Sequence, residues 1–302
     1  MLTLKDIYEI YDKHKDDYHN AQVQEITIGH RKFDFNSQSA ILGIINLSTD
    51  SWWNHTVCYS PEQAIRRAKV LTAQGADIID IGAEASSPNT DRADESKQTS
   101  SLLPVLQTLS KEGILTSIET YYPEVARECF KAGANVINYL GSENSEEMYR
   151  VVADFDAAII ICYLQGKHAR DLGKFDFKVA QDPIDLVYDY FGQEIERATK
   201  LGVTKIFLDP AVGLGYTNFY YQYKNVSSRM GYQIRSILNA FRLRKLGFPV
   251  LNQVPSALEI FGEEVRSTQV CTAVFAALGK TDLFRTHEVS KIRAVLEVLD
   301  LI

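Results

Sequence analysis

The sequence predicts an α/β fold, a closed (β/α)8 barrel of the TIM-barrel type preceded by a short N-terminal extension. The chain has 302 residues, of which 45% are hydrophobic and 24% charged, a composition that excludes a disordered, collagen-like or fibrous protein. From Ser39 onward, short β-branched apolar runs alternate with longer segments of helical spacing. Because there are eight such runs, a closed barrel is favoured over the alternative, a doubly wound open sheet.

The extension comprises residues 1–38, which lie outside this repeat. It contains a charged, helical arm over Leu4–Lys15 and a β-like piece over Val23–Phe35. Gly29 and His30 suit the turn of a hairpin that covers the N-terminal face of the barrel. Residues 39–302 form the barrel as one domain, although the length alone allows two.

Each predicted strand is a short apolar run, and several are apolar on both faces, as parallel strands beneath helices require. The eight runs are Ser39–Asn46, Ala76–Gly82, Ile114–Thr120, Asn135–Leu140, Ala157–Leu164, Lys205–Pro210, Pro249–Val254 and Asp282–His287.

Amphipathic segments between the strands predict the helices. Several begin with Ser, Asp or Pro, and four are closed by glycine, as helix ends favour. These glycines are Gly75, Gly113, Gly133 and Gly202.

Charge and sequence context limit the partners. The 32 Lys and Arg against 39 Asp and Glu give 32 − 39 = −7, which disfavours nucleic acid and anionic membrane surfaces. No apolar run approaches the ~18 residues that a membrane span needs, and the N-terminus lacks a signal-peptide pattern. The four cysteines have no metal-type spacing and are expected to be reduced thiols. We therefore expect a cytoplasmic protein with small-molecule substrates.

Polar residues end the apolar runs, at the face where barrel active sites form. A structural contact to a neighbouring loop could explain any one of them, but hardly the whole ring. These residues are Asn46 with Asp50, Asp80 with Glu84, Glu119, Asn138, Cys162 with Gln165, Asp209, Asn252 with Gln253, and Arg285 with His287.

The residue types in this ring indicate a flat heterocycle with an anionic group. Glu119 and Asp209 offer hydrogen-bond acceptors and Asn138 offers both functions, which suits the N–H edge of an aminopyrimidine ring. Arg285 could stack on that ring. Together with His287 and Asn46, it could also donate to a phosphate or pyrophosphate.

Five segments in register resemble the dihydropteroate synthase family of the pterin-binding superfamily. They are ILGIINLSTDSWW, GADIIDIGAEASSP, SIETYYPEVARECFKAGANVIN, LDPAVGLGY and LFRTHEV, and the resemblance covers Ile41 to Leu299. It implies that 6-hydroxymethyl-dihydropterin pyrophosphate loses pyrophosphate to the amine of p-aminobenzoate, usually with Mg²⁺, in folate biosynthesis.

The resemblance also implies roles for individual residues. The pterin would contact Glu119, Asn138, Asp209, Leu214 and Arg285. Pyrophosphate would contact Asn46, Arg285 and His287, which are also the expected catalytic residues, and Mg²⁺ would contact Asn46. A homodimer through the last helices is implied as well.

The chain departs from the family pattern at four places. Glu119 replaces an aspartate, and Tyr139 removes a second acid beside the pterin. Ser87 stands where members carry arginine, and Pro255–Leu258 replaces Ser-Arg-Lys-Ser. The loss of two charge-assisted contacts after strand seven, at about 1.5–3 kcal/mol each, predicts weaker substrate binding or turnover if nothing replaces them.

Three functions remain open at this point. The first is a dihydropteroate synthase, or a relative that uses another nucleophile. The second is a pterin-binding paralogue without synthase turnover, and the third is a methyl transferase of the same superfamily, which would need a corrinoid partner. In the loop after strand five, Lys167 and Arg170 are cations that could replace the missing charges, and His168 is expected to be a solvated loop residue.

Overall fold

Eight parallel strands form a nearly closed barrel in a computed structural model, which describes residues 2–51, 54–85, 91–171, 182–212, 226–255 and 264–301. The barrel strands are β3 (Ala40–Asn46), β4 (Ile78–Gly82), β5 (Thr116–Thr120), β6 (Val136–Tyr139), β7 (Ala158–Cys162), β8 (Lys205–Asp209), β9 (Leu251–Gln253) and β10 (Leu283–Thr286). Each pairs in parallel with its neighbours in the order β8-β7-β6-β5-β4-β3-β10-β9. A bridge between Leu208 and Val250 joins the two end strands, so the predicted barrel is confirmed.

Helices surround the sheet and follow the barrel strands. In the described residues they are α1 (Leu4–Asn20), α2 (Pro61–Ala73), α3 (Glu95–Lys111), α4 (Pro123–Lys131), α5 (Ser145–Asp154), α6 (Pro183–Lys200), α7 (Val226–Leu238), α8 (Val265–Leu278) and α9 (Val289–Asp300). Short 3-10 segments cover Asn54–Thr56 and Ala240–Leu246. Among the described residues, no helix combines the length and apolarity that a membrane crossing requires.

Local sequence signals set the helix ends. The side chains of Ser60, Asp94 and Asp182 accept hydrogen bonds from the first-turn amides of α2, α3 and α6. The four glycines predicted to close helices all adopt positive φ, between 72° and 101°. Glycine adopts this conformation without the strain that a Cβ would add, which explains why these positions end helices.

The N-terminal extension forms the predicted hairpin. Strand β1 (Ile26–Ile28) pairs antiparallel with β2 (Arg31–Phe33), and Gly29 in the turn has φ 55°. The helical arm runs to Asn20, five residues beyond the predicted end at Lys15, with a kink at His14. Its last turn packs on the barrel, where the rings of Tyr18 and Phe241 lie 5.2 Å apart.

The two faces of the barrel strands belong to two apolar clusters. The outward side chains pack against the surrounding helices. The inward side chains at the start of the strands form a second cluster with the hairpin, and the Phe35 ring lies 5.5 Å from that of Phe207. The hairpin thus closes the N-terminal end of the barrel, as predicted, and leaves its C-terminal end for a site. The boundary at residue 38 between the extension and the barrel stays a prediction.

Candidate active site

A ring of polar side chains occupies the C-terminal half of the barrel. Side chains alternate between the two faces of a strand, and the lower inward positions are apolar ones such as Leu42, Ile78 and Leu251. Two or four residues further along each strand, the inward positions become polar. This ring consists of Asn46, Asp80, Ser117, Glu119, Asn138, Cys162, Asp209, Gln253 and Arg285.

Arg285 lies near the centre of the ring and is only 6% exposed. Its Nε donates to Asp80 Oδ2 at 2.8 Å, Nη1 donates to Gln253 Oε1 at 3.0 Å, and Nη2 donates to the Glu119 carboxylate. Burial alone would lower the pKa of Arg285, but the two carboxylates outweigh it and hold the pKa above its ordinary value. The guanidinium is therefore a fixed positive charge inside the ring, in contact with side chains of β4, β5 and β9.

Acceptor atoms gather on the β4–β6 side of the ring. The amide nitrogen of Asn138 donates to Asp80 Oδ2 at 3.1 Å. Within the described residues, this leaves Asp80 Oδ1, Asn138 Oδ1 and Ser117 Oγ buried without a hydrogen-bond partner. Because a buried unpaired polar atom costs about 1–3 kcal/mol, three together indicate a place where a ligand supplies the missing donors.

Asp209 adds a further acceptor at the end of β8. Its Oδ1 accepts from the amide of Ala211 at 2.8 Å. Burial raises its pKa to about 6, although that hydrogen bond and the charge of Arg285 oppose the rise. The carboxylate is therefore mostly ionised at pH 7 and mostly protonated at pH 5.

Asn46 and His287 lie at the ends of adjacent strands, β3 and β10. The amide nitrogen of Asn46 donates to Thr56 Oγ1 at 2.7 Å, so its carbonyl oxygen is the remaining polar atom. Burial and the charges of Arg285 and Arg67 lower the pKa of His287 well below its ordinary value, so its imidazole is neutral at pH 7. A neutral imidazole still carries one N–H donor.

A second polar cluster forms the rim above the ring. Glu84 accepts from Tyr121 at 2.6 Å and pairs with Arg92 at 3.2 Å, and the buried Arg170 lies 3.8 Å from it. The His168 ring stacks on Tyr121 with centroids 4.6 Å apart. His168 lies in a loop, as expected, and is half-buried because one face of its ring stacks on Tyr121.

Some of the site residues predicted from the sequence meet in the structure, whereas others lie outside the described residues. It brings Glu119, Asn138, Asp209 and Arg285 into one ring, whereas Leu214 lies outside the described residues. Ser87 and residues 256–258 also lie outside them. Asn252 faces outward, where its amide donates to Thr281 at 2.7 Å, so it does not belong to the ring.

Ser117 belongs to the ring but was not among the polar residues predicted at the strand ends, whereas Asp80 and Gln253 were predicted there without an individual role. Counting two residues back from Glu119 would have found Ser117. The parallel register aligns Asp80 with Ser117, and Gln253 with Arg285. The pairing with Arg285 shows that Gln253, and not its neighbour Asn252, faces the ring.

The residues described contain no group of three His, Cys, Asp or Glu side chains that could hold a metal. Mg²⁺ does not require such a group, because it prefers oxygen ligands and commonly binds through one or two side chains and substrate phosphates. The Asn46 carbonyl oxygen fits that kind of coordination.

The fold and the ring define a (β/α)8 enzyme with a buried pocket of hydrogen-bond acceptors around one arginine. The family model described as "Pterin binding enzyme" matches residues 42–234. A dihydropteroate synthase of Synechocystis is 28% identical over 288 residues, which are 91% of this chain and 94% of that protein. The chain therefore belongs to the pterin-binding enzyme family, and its resemblance to the dihydropteroate synthases is confirmed.

Solved structures agree with this assignment. The dihydropteroate synthase of Thermus thermophilus in complex with 4-aminobenzoate has a TM-score of 0.73 and 25% identity, covering 92% of this chain and all of the other. The same enzyme in complex with 6HMPPP has a TM-score of 0.72 and 26% identity, with the same coverage. The protein is thus an enzyme of the dihydropteroate synthase type.

Proposed function

We propose that this enzyme joins 6-hydroxymethyl-dihydropterin pyrophosphate to p-aminobenzoate or a related amine. The observation that carries the proposal is the set of buried acceptors without donors in the described chain, Asp80 Oδ1 and Asn138 Oδ1, beside the Asp209 carboxylate. A 2-amino-4-oxopteridine presents adjacent N–H groups along one edge and would satisfy them. The 4-aminobenzoate and 6HMPPP complexes of the Thermus relative support this choice of substrates.

The leaving group would lie toward the mouth of the barrel. Arg285 supplies positive charge there, although each of its three nitrogen atoms already donates one hydrogen bond. The second hydrogens on Nη1 and Nη2 remain for an anion, and His287 and Asn46 would contact the same group. Such preorganised donors stabilise the negative charge that develops as a leaving group departs.

In the reaction, the bond from the pterin methylene carbon to pyrophosphate oxygen breaks, and its electron pair leaves with pyrophosphate. The amine nitrogen forms the new C–N bond and then loses a proton. When bound, Mg²⁺ would neutralise charge on the pyrophosphate, with the Asn46 carbonyl oxygen as a protein ligand. Arg285, His287 and Asn46 orient the anion.

The departures of this sequence from the family pattern affect the expected binding and turnover of the substrate. Two positive charges expected near Pro255 are absent from the sequence, and the net charge of −7 adds no general attraction for anions. The proposed enzyme therefore relies on Arg285 for a permanent positive charge in the described part of the ring. We expect the KM for the pyrophosphate substrate to depend little on salt, since Arg285 is buried and buried charges are screened much less than exposed ones.

Pyrophosphate release tests the proposal. Purified enzyme is incubated with the pterin pyrophosphate, Mg²⁺ and p-aminobenzoate, and Arg285→Lys is the matched variant that keeps the charge but loses the three-fold contact. Release by the wild-type enzyme and its reduction by at least about 10-fold in the variant are expected. Pterin binding without release would instead support the paralogue without synthase turnover.

A homodimer is part of the proposal. Exposed apolar side chains on the last two helices, Leu278 and Val298, support an interface there. Light scattering coupled to size exclusion should give twice the mass of 34.1 kDa. The mass of a single chain would contradict a dimer.

A further inference from the structure

Gln253 turns its side chain into the ring at the end of β9. Its Oε1 accepts from Arg285 Nη1 at 3.0 Å, and the two residues are aligned in the parallel register. A guanidinium has only donors, so the amide oxygen must face it and the amide nitrogen Nε2 must lie on the other side. The contact with Arg285 therefore fixes which end of the Gln253 amide is offered to the pocket.

The other amide nitrogens of the ring each already donate one hydrogen bond. Asn138 donates to Asp80, and Asn46 donates to Thr56. Nε2 of Gln253, in contrast, makes no hydrogen bond within the part of the chain that the structure describes, and the residue is partly exposed. The described ring thus combines several acceptors that lack donors with one amide nitrogen that makes no hydrogen bond.

The order of the strands matches the edge of a pterin. Strand β9 is adjacent to β8 through the Leu208–Val250 bridge, so the Gln253 donor is next in order to the Asp209 acceptor. The acceptor oxygen of Asn138 follows two strands further on. Around the barrel the pattern is donor, acceptor, acceptor, which complements the carbonyl, ring N–H and amino group of a 2-amino-4-oxopteridine.

We propose that Gln253 is a specificity-determining residue that donates to the 4-oxo group of the pterin. The inference rests on the proposed function and deepens it. A neutral amide suits a neutral carbonyl oxygen, whereas an anion would favour a charged donor. Gln253 therefore selects a 4-oxo pteridine over a 4-amino pteridine, and this selection is separate from the binding of the leaving group.

Fluorescence titration with a pair of ligands tests this assignment. The ligands are 6-hydroxymethylpterin and its 2,4-diamino analogue, in which an amino donor replaces the carbonyl acceptor and the adjacent ring nitrogen carries no hydrogen. Gln253→Leu should weaken binding of the oxo ligand by about 5- to 10-fold and leave the diamino ligand within about twofold. Gln253→Glu keeps an acceptor for Arg285 but offers a second acceptor to the ligand, so it should shift the affinity ratio further toward the diamino ligand.

Asp209→Asn is the matched control, and it should weaken the oxo ligand, because the ring N–H of that ligand loses its carboxylate acceptor. If that control holds but the affinity ratio stays unchanged in both Gln253 variants, the proposed function stands and the role of Gln253 is wrong. If the wild-type enzyme binds neither ligand, the proposed function itself fails. Thermal unfolding checks that each variant is folded. If Gln253→Leu is unfolded, Gln253→Glu alone carries the test.

Discussion

The lower and upper halves of the barrel are built from the same eight strands but differ in the side chains that face inward. In the lower half, Phe207, Leu251 and their neighbours are fully buried against the hairpin. In the upper half, buried oxygens of Asp80 and Asn138 lack partners among the described residues. Apolar burial stabilises the first region, whereas unpaired polar atoms cost stability in the second. The comparison indicates that the lower half stabilises the fold, whereas the upper half offers unpaired polar atoms to a ligand.

The largest expected effect is a loss of stability in the lower half. Phe207→Ala should reduce the free energy of unfolding by about 3–5 kcal/mol, because it leaves a cavity where the ring meets Phe35 and the strand starts. Ser117→Ala in the upper half should change it by less than about 1 kcal/mol, since that hydroxyl has no partner in the described chain. Denaturant unfolding measures both, and equal losses would remove the distinction between the halves.

Asp209 predicts opposite effects of pH on stability and on binding. Its folded-state pKa of about 6 lies above the ordinary value of 3.8, so the folded state binds the proton more tightly than the unfolded chain does. The stability that protonation contributes is present at low pH and is lost as the pH rises through about 6, up to about 3 kcal/mol. Pterin affinity should instead fall as the pH drops below about 6, because the carboxylate is the acceptor.

Asp209→Asn separates the contribution of this residue to the pH dependence from that of the other titratable groups. The difference in unfolding free energy between pH 5 and pH 7 should shrink in the variant, and the remainder belongs to groups such as Asp282, whose pKa burial raises to about 7. Chemical unfolding and ligand titration at the two pH values provide the comparison. An identical pH dependence in the variant would show that Asp209 does not titrate in this range.

Asn138→Leu should weaken both pterin binding and stability in the upper half. The apolar side chain has a similar size and removes an unpaired carbonyl oxygen, but it also removes the amide that donates to Asp80, so the free energy of unfolding should fall by about 1–3 kcal/mol. Pterin affinity should fall by at least about 10-fold, since the ligand loses an acceptor. Unchanged affinity with lower stability would mean that Asn138 is a structural residue.

The smallest expected effect concerns Lys167, one of two cations that could replace the missing charges. Its amine is exposed and pairs with Glu143 at 3.0 Å. Exposed pairs of this kind contribute about 0–1 kcal/mol. Lys167→Ala should leave the KM for the pterin pyrophosphate within about twofold in steady-state assays, and a larger increase would show that this lysine reaches the anion.

Much of the fold could be predicted from the sequence because its determinants are local. A run such as AIIIC favours a strand buried on both faces because it is short and rich in β-branched residues, and Gly75 or Gly202 marks a helix end through its positive φ. The hairpin turn at Gly29 could also be predicted from the local sequence. The continuation of α1 beyond Lys15 was not, because the packing of Tyr18 on Phe241 supports the last turn.

The site was only partly predictable, because it depends on register between strands far apart in sequence. Asp80 and Glu84 look alike in sequence, yet one contacts Arg285 and the other belongs to the rim. Gln253 follows Asn252, and only the register with Arg285 shows which of the two faces inward. The ends of the predicted strands and the resemblance both indicated Glu119, Asn138 and Asp209, but not the partners that orient them.

The central claim is that the upper ring binds a pterin through Asp80, Asn138 and Asp209, with its anionic group toward Asn46, Arg285 and His287. A crystal structure with a non-hydrolysable analogue of the pterin pyrophosphate tests it most directly. We predict the amino-oxo edge within hydrogen-bonding distance of Asp80 Oδ1, Asn138 Oδ1 and the Asp209 carboxylate. A pterin bound elsewhere, or pyrophosphate oxygens away from Asn46, Arg285 and His287, would contradict the account.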